Sequence, residues 1–161
     1  MALNLTQKEQ MLLQDQKSHE EICIQKYKNY AEQAQDPQLK QMFNSFAEQE
    51  QQHWKTLDQI LSGQMPDFSQ QSQGQGQQKN QGATAEVKQQ MKNVMNNQKD
   101  AALCTDMLMT EKYVSSTYDT AIFESTDPNI RQLLNHIQKE EQQHGEGLFN
   151  YMKNAGMYNP K

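Results

Sequence analysis

Two copies of a Glu-x-x-His element carry the residues best suited to chemistry. One is Glu50-Gln51-Gln52-His53 and the other Glu141-Gln142-Gln143-His144. On a helix this spacing puts a carboxylate and an imidazole one turn apart on the same face. Each copy follows an Asp-Pro step, at Asp36-Pro37 and Asp127-Pro128, so both lie at the same depth in a unit that recurs with an offset of 91 residues. The same offset pairs Glu20 with Glu111, Tyr27 with Tyr118, Leu12 with Leu103 and Asp15 with Asp106. Each half therefore supplies one glutamate on a first helix and a Glu-x-x-His on a second.

One such element in a glutamine-rich chain would carry little weight. Two at equal depth, each with a third polar residue from the preceding helix, form the candidate ligand set Glu20, Glu50, His53, Glu111, Glu141 and His144. Ionised carboxylates taken out of water without partners cost several kcal/mol each, and their pKa values climb until they are protonated. Two divalent cations balance the charge of four carboxylates, and two neutral imidazoles complete the shell. Mixed carboxylate and imidazole ligands suit iron or manganese, and zinc can substitute. Bridging by Glu50 and Glu141 or by Glu20 and Glu111 fits the spacing equally well. Tyr27 and Tyr118, two turns beyond Glu20 and Glu111, are expected to face inward, where each could hydrogen-bond a ligand, donate an electron, or simply fill the core with its hydroxyl satisfied. Asp15 and Asp106 fall off the seams, with a role in orienting a histidine as the weaker alternative. His19 and His136 are expected at the surface.

Four helices must position these groups. The first is expected from Thr6, with Glu9 completing a capping box, to Gln35. The second opens on Asp36 as N-cap and Pro37 in the first turn. It carries Leu39, Phe43, Phe46, Glu50, His53, Leu57 and Ile60 in alternating steps of four and three, a bundle seam, with Gly63 as its C-cap. The third runs from near Asn97 to Thr126 on a stripe of Cys104, Met107, Glu111, Val114, Tyr118, Ala121 and Ser125. The fourth repeats the seam with Ile130, Leu134, Ile137, Glu141, His144, Leu148 and Tyr151 and frays near Asn154. Gln64 to Gly82 is low in complexity, so residues 64–84 read as a flexible crossover. That crossover can span a helix of about 37 Å. A short amphipathic helix, or an early extension of the third helix, is expected over 85–96.

The fold class is thus all-α: one domain over 1–161, made of a helical hairpin at 6–63, the crossover, and a short helix plus hairpin at 85–155. The length of 161 residues allows a buried core. Mean hydropathy is −1.06, but glutamine, a fair helix former, accounts for much of the polarity. A net charge of −5 gives no support for a nucleic-acid partner. No apolar run is long enough for a membrane span, and Met1 to Gln10 has no signal region, so secretion by a signal peptide is not expected. Cys23 and Cys104 form no Cys-x-x-Cys pair, which excludes a rubredoxin-type iron site. They are expected as buried small hydrophobes on the same side of the metal layer.

The ligand pattern resembles that of ferritin-like two-metal proteins such as rubrerythrin and bacterioferritin. The resemblance implies a four-helix bundle with two metal ions that react with oxygen or peroxide. Rubrerythrins usually add a glutamate ligand on the third helix and a Cys-rich electron-transfer domain. Here Val114 stands one turn after Glu111, and no such domain is present. Over more of the chain the sequence resembles the spore coat protein F (Coat F) family. Asn93 to Asp100, Thr110-Glu111-Lys112, Ser116-Thr117-Tyr118, Asp127-Pro128-Asn129-Ile130-Arg131 and Tyr151 to Tyr158 carry this likeness, echoed by Asp36-Pro37-Gln38-Leu39. It implies a ferritin-like bundle made in the cytoplasm and associated with the endospore coat. The partners it implies are other coat proteins and a second copy of the chain in a homodimer. Two roles follow: a metal-dependent oxidase or peroxidase, or a structural coat component in which the site is a staple or a vestige. Iron storage ranks last, because nothing in one chain shows cage-forming contacts.

Overall fold

A computed structural model describes residues 3–67 and 98–161. Four α-helices make up its regular structure: α1 (Gln7–Gln33), α2 (Pro37–Leu61), α3 (Gln98–Glu124) and α4 (Pro128–Asn154). Most of the expected crossover and the whole of the short helix expected over 85–96 lie outside the described residues.

Local sequence sets each boundary. The Thr6 hydroxyl accepts from the Glu9 N–H at 3.2 Å, and the Glu9 carboxylate accepts from the Thr6 N–H at 2.7 Å, closing the capping box. Asp36 and Asp127 cap α2 and α4, each accepting the N–H two residues on, with proline next in line. The first helices end slightly earlier than the seams suggest, at Gln33 and Glu124. In the first hairpin Ala34 is already extended, and Asp36, which caps α2 and directly precedes Pro37, is extended too. Ser62 rather than Gly63 is the C-cap of α2. Gly63, at φ +80°, and Gly156, at φ +71° after α4, take the left-handed position beyond it. There the Gly63 and Gln64 N–H groups return to Ile60 and Gln59, and those of Gly156 and Met157 to Lys153 and Met152.

Helices α1 and α2 form one antiparallel hairpin, α3 and α4 the other, and the two pack mainly through α1 against α3. Two carboxylates lock each hairpin's turn to the partner hairpin. Glu9 at the start of α1 accepts the Thr126 N–H at 2.7 Å and its hydroxyl at 3.0 Å. Asp100, which the offset of 91 makes the counterpart of Glu9, accepts the N–H groups of Gln35 and Asp36 at 2.9 and 3.0 Å. Arg131 closes the α3–α4 turn further, donating to the Ser125 carbonyl at 2.6 Å.

The apolar core falls into two clusters. One, towards the α3–α4 turn, holds Leu13, Leu57, Ile60, Val114, Leu134 and Ile137; the other, towards the α1–α2 turn, holds Ala31, Leu39, Phe43, Met107, Leu148 and Met152. Between them lies a layer of buried glutamates and histidines. Cys23 belongs to the first cluster and Cys104 to the second, both as free thiols. Against the expectation that they lie on one side of the layer, the two thiols pack with different clusters.

Candidate metal centre

The six candidate ligands converge in that layer. Two groups of four have ligand atoms within 4.8 Å of one another: Glu20, Glu50, His53 and Glu141, and Glu50, Glu111, Glu141 and His144. All six side chains are buried. Glu50 and Glu141 belong to both groups, whereas Glu20 and Glu111 each belong to one.

Both imidazoles aim Nδ1 into the cluster. His53 Nδ1 is 3.0 Å from Glu50 and from Glu141, and 3.6 Å from Glu20. His144 Nδ1 is 3.3 Å from Glu50, 3.4 Å from Glu111 and 3.8 Å from Glu141. The outward Nε2 atoms are held across the bundle. His53 Nε2 donates to Glu140 at 2.7 Å, and His144 Nε2 donates to Gln49 at 2.6 Å. Gln49 and Glu140 are counterparts by the offset of 91. The sequence reading missed both, although each directly precedes a ligand glutamate. The histidine-orienting role weighed for Asp106 falls to them; Asp106 instead pairs with Lys26 at 3.0 Å and accepts the Tyr30 hydroxyl at 2.7 Å, and Asp15 is exposed. His136, expected at the surface, is partly buried beside Glu140 at 3.5 Å. His19 is half-buried with its ring against Tyr113.

Tyr27 and Tyr118 are fully buried and cross between hairpins: the Tyr27 hydroxyl donates to Glu111 and the Tyr118 hydroxyl to Glu20. Each tyrosine thus fixes the glutamate contributed by the other half. Phe46 stacks on His144 with ring centroids 4.4 Å apart.

The electrostatics show what so dense a cluster must do without cations. Burial and the charge of Glu20 push the Glu50 carboxyl up to about 7, and burial with three like charges pushes Glu141 well above the carboxylate range. Burial acts on Glu20 in the same direction, but His53 outweighs it and brings Glu20 down to about 2. Burial alone would lower both imidazoles; the carboxylates around them, Glu140 first for His53 and Glu50 first for His144, hold both well above the usual value. Burial and the neighbouring carboxylates raise Tyr27 and Tyr118, so both keep their protons.

The donor set fits a pair of hard or borderline divalent cations. One oxygen each of Glu20, Glu50, Glu111 and Glu141, and Nδ1 of His144, are buried without a hydrogen-bond partner. Buried polar atoms are nearly always satisfied. Here five such atoms are potential ligand atoms of one cluster and belong to residues of the two groups that could hold metal ions.

The comparisons with known proteins bear on the second hairpin. Residues 99–161 match the Coat F domain. The match covers α3 from its first turn, α4 and the tail, and so includes Glu111, Glu141 and His144 but not their counterparts in the first half. It explains in physical terms the motifs carrying the likeness: Asp127 and Pro128 start α4, Ile130 is buried, and Arg131 closes the turn. No curated protein and no solved structure matches the chain. Among the described residues no helix is long and apolar enough to cross a membrane.

Proposed function

We propose that this chain is a ferritin-like protein of the endospore coat with a two-metal carboxylate centre, loaded with iron or manganese, that reacts with oxygen or peroxide. The observation that carries the reading is the pair of four-ligand groups sharing Glu50 and Glu141, with buried carboxylate oxygens that make no hydrogen bond among the described residues. The Coat F match supports the location.

Glu20 and His53 would hold one metal and Glu111 and His144 the other, with Glu50 and Glu141 between them. Bound iron or manganese would supply one-electron redox chemistry and open coordination positions for an oxidant. The chain's own groups do the rest. Tyr27 and Tyr118 hold the terminal glutamates by hydrogen bonds that survive at any ordinary pH, because both phenols stay protonated. Glu140 and Gln49 fix the ring orientation of the histidines. The apolar clusters above and below the layer exclude water from the carboxylates.

Metal content measured by plasma mass spectrometry tests this, on protein made with iron and manganese both available, beside a Glu50→Ala/Glu141→Ala variant. About two ions per chain, lost in the variant, are expected. Consumption of oxygen or peroxide by the loaded protein then separates a redox role from a structural one. Folded protein without stoichiometric metal would overturn the centre and leave a structural coat component.

A further inference from the structure

The offset of 91 residues maps each face of one hairpin onto the other, and at one place the faces differ sharply. Between α3 and α4 lies a groove of about 650 Å³ with Glu111 and Glu141 among its lining residues. Gly145, Ser115 and Leu108 line it, and Lys112, Asp119 and Glu146 stand around it. The corresponding positions in the first hairpin are Trp54 for Gly145, Ile24 for Ser115 and Lys17 for Leu108. Ile24 is buried, Trp54 half-buried, and Lys17 lies over the indole at 4.6 Å while pairing with Asp58 at 2.6 Å. At two of these positions, Trp54 and Ile24, the α1–α2 side thus carries a larger side chain than the α3–α4 groove does.

Glycine is a poor helix residue, and nothing in the packing requires one at 145. An added Cβ would meet only Leu108, at an ordinary 3.9 Å, and the backbone there is regular helix. The missing side chain leaves space in a groove whose lining includes two of the buried glutamates.

Resting on the two-metal reading above, we infer that the α3–α4 groove is the route by which divalent cations and a small polar oxidant of peroxide's size reach the centre, while Trp54 closes the α1–α2 side. The groove's lining is mostly apolar, and its acidic residues Asp119, Glu146, Glu111 and Glu141 are the groups on which a hydrated cation would shed water. The centre would then be loaded from its Glu111 side first.

Two readouts test this, one of them independent of metal. Glu111→Cys and Glu20→Cys variants are treated with methyl methanethiosulfonate and the labelled residue is located by peptide mapping. The cysteine at 111 should react at least about tenfold faster than the one at 20, since thiol reactivity follows exposure. Adding Gly145→Trp should abolish that advantage, and adding Trp54→Gly should confer it on position 20. Gly145→Leu, a smaller plug, serves if circular dichroism shows that the tryptophan variant is unfolded. In parallel, cobalt(II) uptake followed by visible absorption should slow by about tenfold or more in Gly145→Trp, with the final stoichiometry unchanged. Equal labelling of the two cysteines, or plugged variants that label and load at the unplugged rate, would overturn the route. A chain that binds no cobalt would sink the two-metal reading instead, and the labelling ratio would still decide the groove.

Discussion

Carried through the offset of 91 residues, Glu20, Glu50, His53 and Tyr27 of the first hairpin become Glu111, Glu141, His144 and Tyr118 of the second, and Glu9 becomes Asp100. The same shift turns Trp54 into Gly145, Gln49 into Glu140 and Thr56 into Gly147. What the halves share is what a cluster of buried acids needs: ligands, the tyrosines that cross over to orient them, and the carboxylates that pin the turns. What they do not share lies around the cluster, where it governs how the centre is reached and tuned. A symmetric ligand layer in an asymmetric shell is the main lesson of the comparison.

The shared ligands make the largest prediction. Without metal, Glu50 sits at about 7 and Glu141, His53 and His144 well above their ordinary values, so the folded protein binds more protons near neutrality than the unfolded chain. Stability then falls as pH rises. For Glu50 the loss runs from the unfolded carboxyl range up to about 7. For the histidines the contribution is full below about 6.5 and disappears as pH passes their raised values. Metals displace the same protons, so metal affinity should rise over this range and loading should release acid. Thermal melts of metal-free and loaded protein from pH 6 to 8 should diverge, the first falling and the second holding. Parallel curves would mean that the cluster is not the seat of both.

The turn locks come next. Asp100→Ala leaves the Gln35 and Asp36 N–H groups without their acceptor, and Glu9→Ala does the same for Thr126 while also opening the capping box. Each should cost about 2–4 kcal/mol in urea unfolding, and the double variant should lose about the sum, because the locks lie at opposite ends of the bundle. Strong non-additivity would show instead that the hairpins dock as one cooperative step.

Gly147 breaks the symmetry differently from Gly145. A Cβ there would lie 2.8 Å from the Phe46 ring, which is stacked on His144 and set edge-on to Tyr27. Gly147→Ala should therefore destabilise by about 1–3 kcal/mol despite the better helix propensity of alanine. At the mirror position, Thr56→Ala removes a hydroxyl bonded to the Gln52 carbonyl of its own helix and should cost about 1 kcal/mol or less. If Gly147→Ala proves neutral, Phe46 has room to move and the close approach of α2 to α4 is not what keeps the glycine.

The shared features were legible because periodicity and repetition reinforce each other. Every residue of the α3 stripe from Cys104 to Ser125 is buried, and the seams of α2 and α4 depart only at Phe46 and Tyr151, which are half-buried. The capping box and both Asp-Pro starts follow from local chemistry that tertiary packing does not override. Asp100, Gln49 and Glu140 were not legible. Gln49 and Glu140 lie off the apolar stripes, Asp100 stands one turn before Cys104 at the head of its own, and their partners stand between 64 and 95 positions away in the chain, so no window of sequence contains the pair. Only the offset of 91, applied to every polar residue and not to the ligands alone, would have marked Glu9 and Asp100 as one device used twice. The groove was invisible for the same reason: Gly145 reads as a mildly unfavourable helix residue until it is set against Trp54.

Glu140 and Gln49 give the smallest effect and the sharpest test of asymmetry. His53 donates its Nε2–H to a carboxylate, and His144 donates to a neutral amide. A carboxylate partner makes an imidazole a more basic ligand, so the position served by Glu20 and His53 should bind a given divalent cation more tightly than that served by Glu111 and His144. Calorimetric titration of cobalt(II) into the metal-free protein should resolve two steps. Glu140→Gln should weaken the tighter step by about tenfold, about 1.4 kcal/mol, and bring the two positions together. Gln49→Glu should do so from the other side, by strengthening the weaker one. The pair of variants matters more than either alone, since loss of packing at residue 140 could weaken binding, but no packing defect makes Gln49→Glu strengthen it. Two equal steps in the unaltered protein would place the asymmetry of this molecule wholly in its access and leave its ligand layer symmetric in energy as well as in sequence.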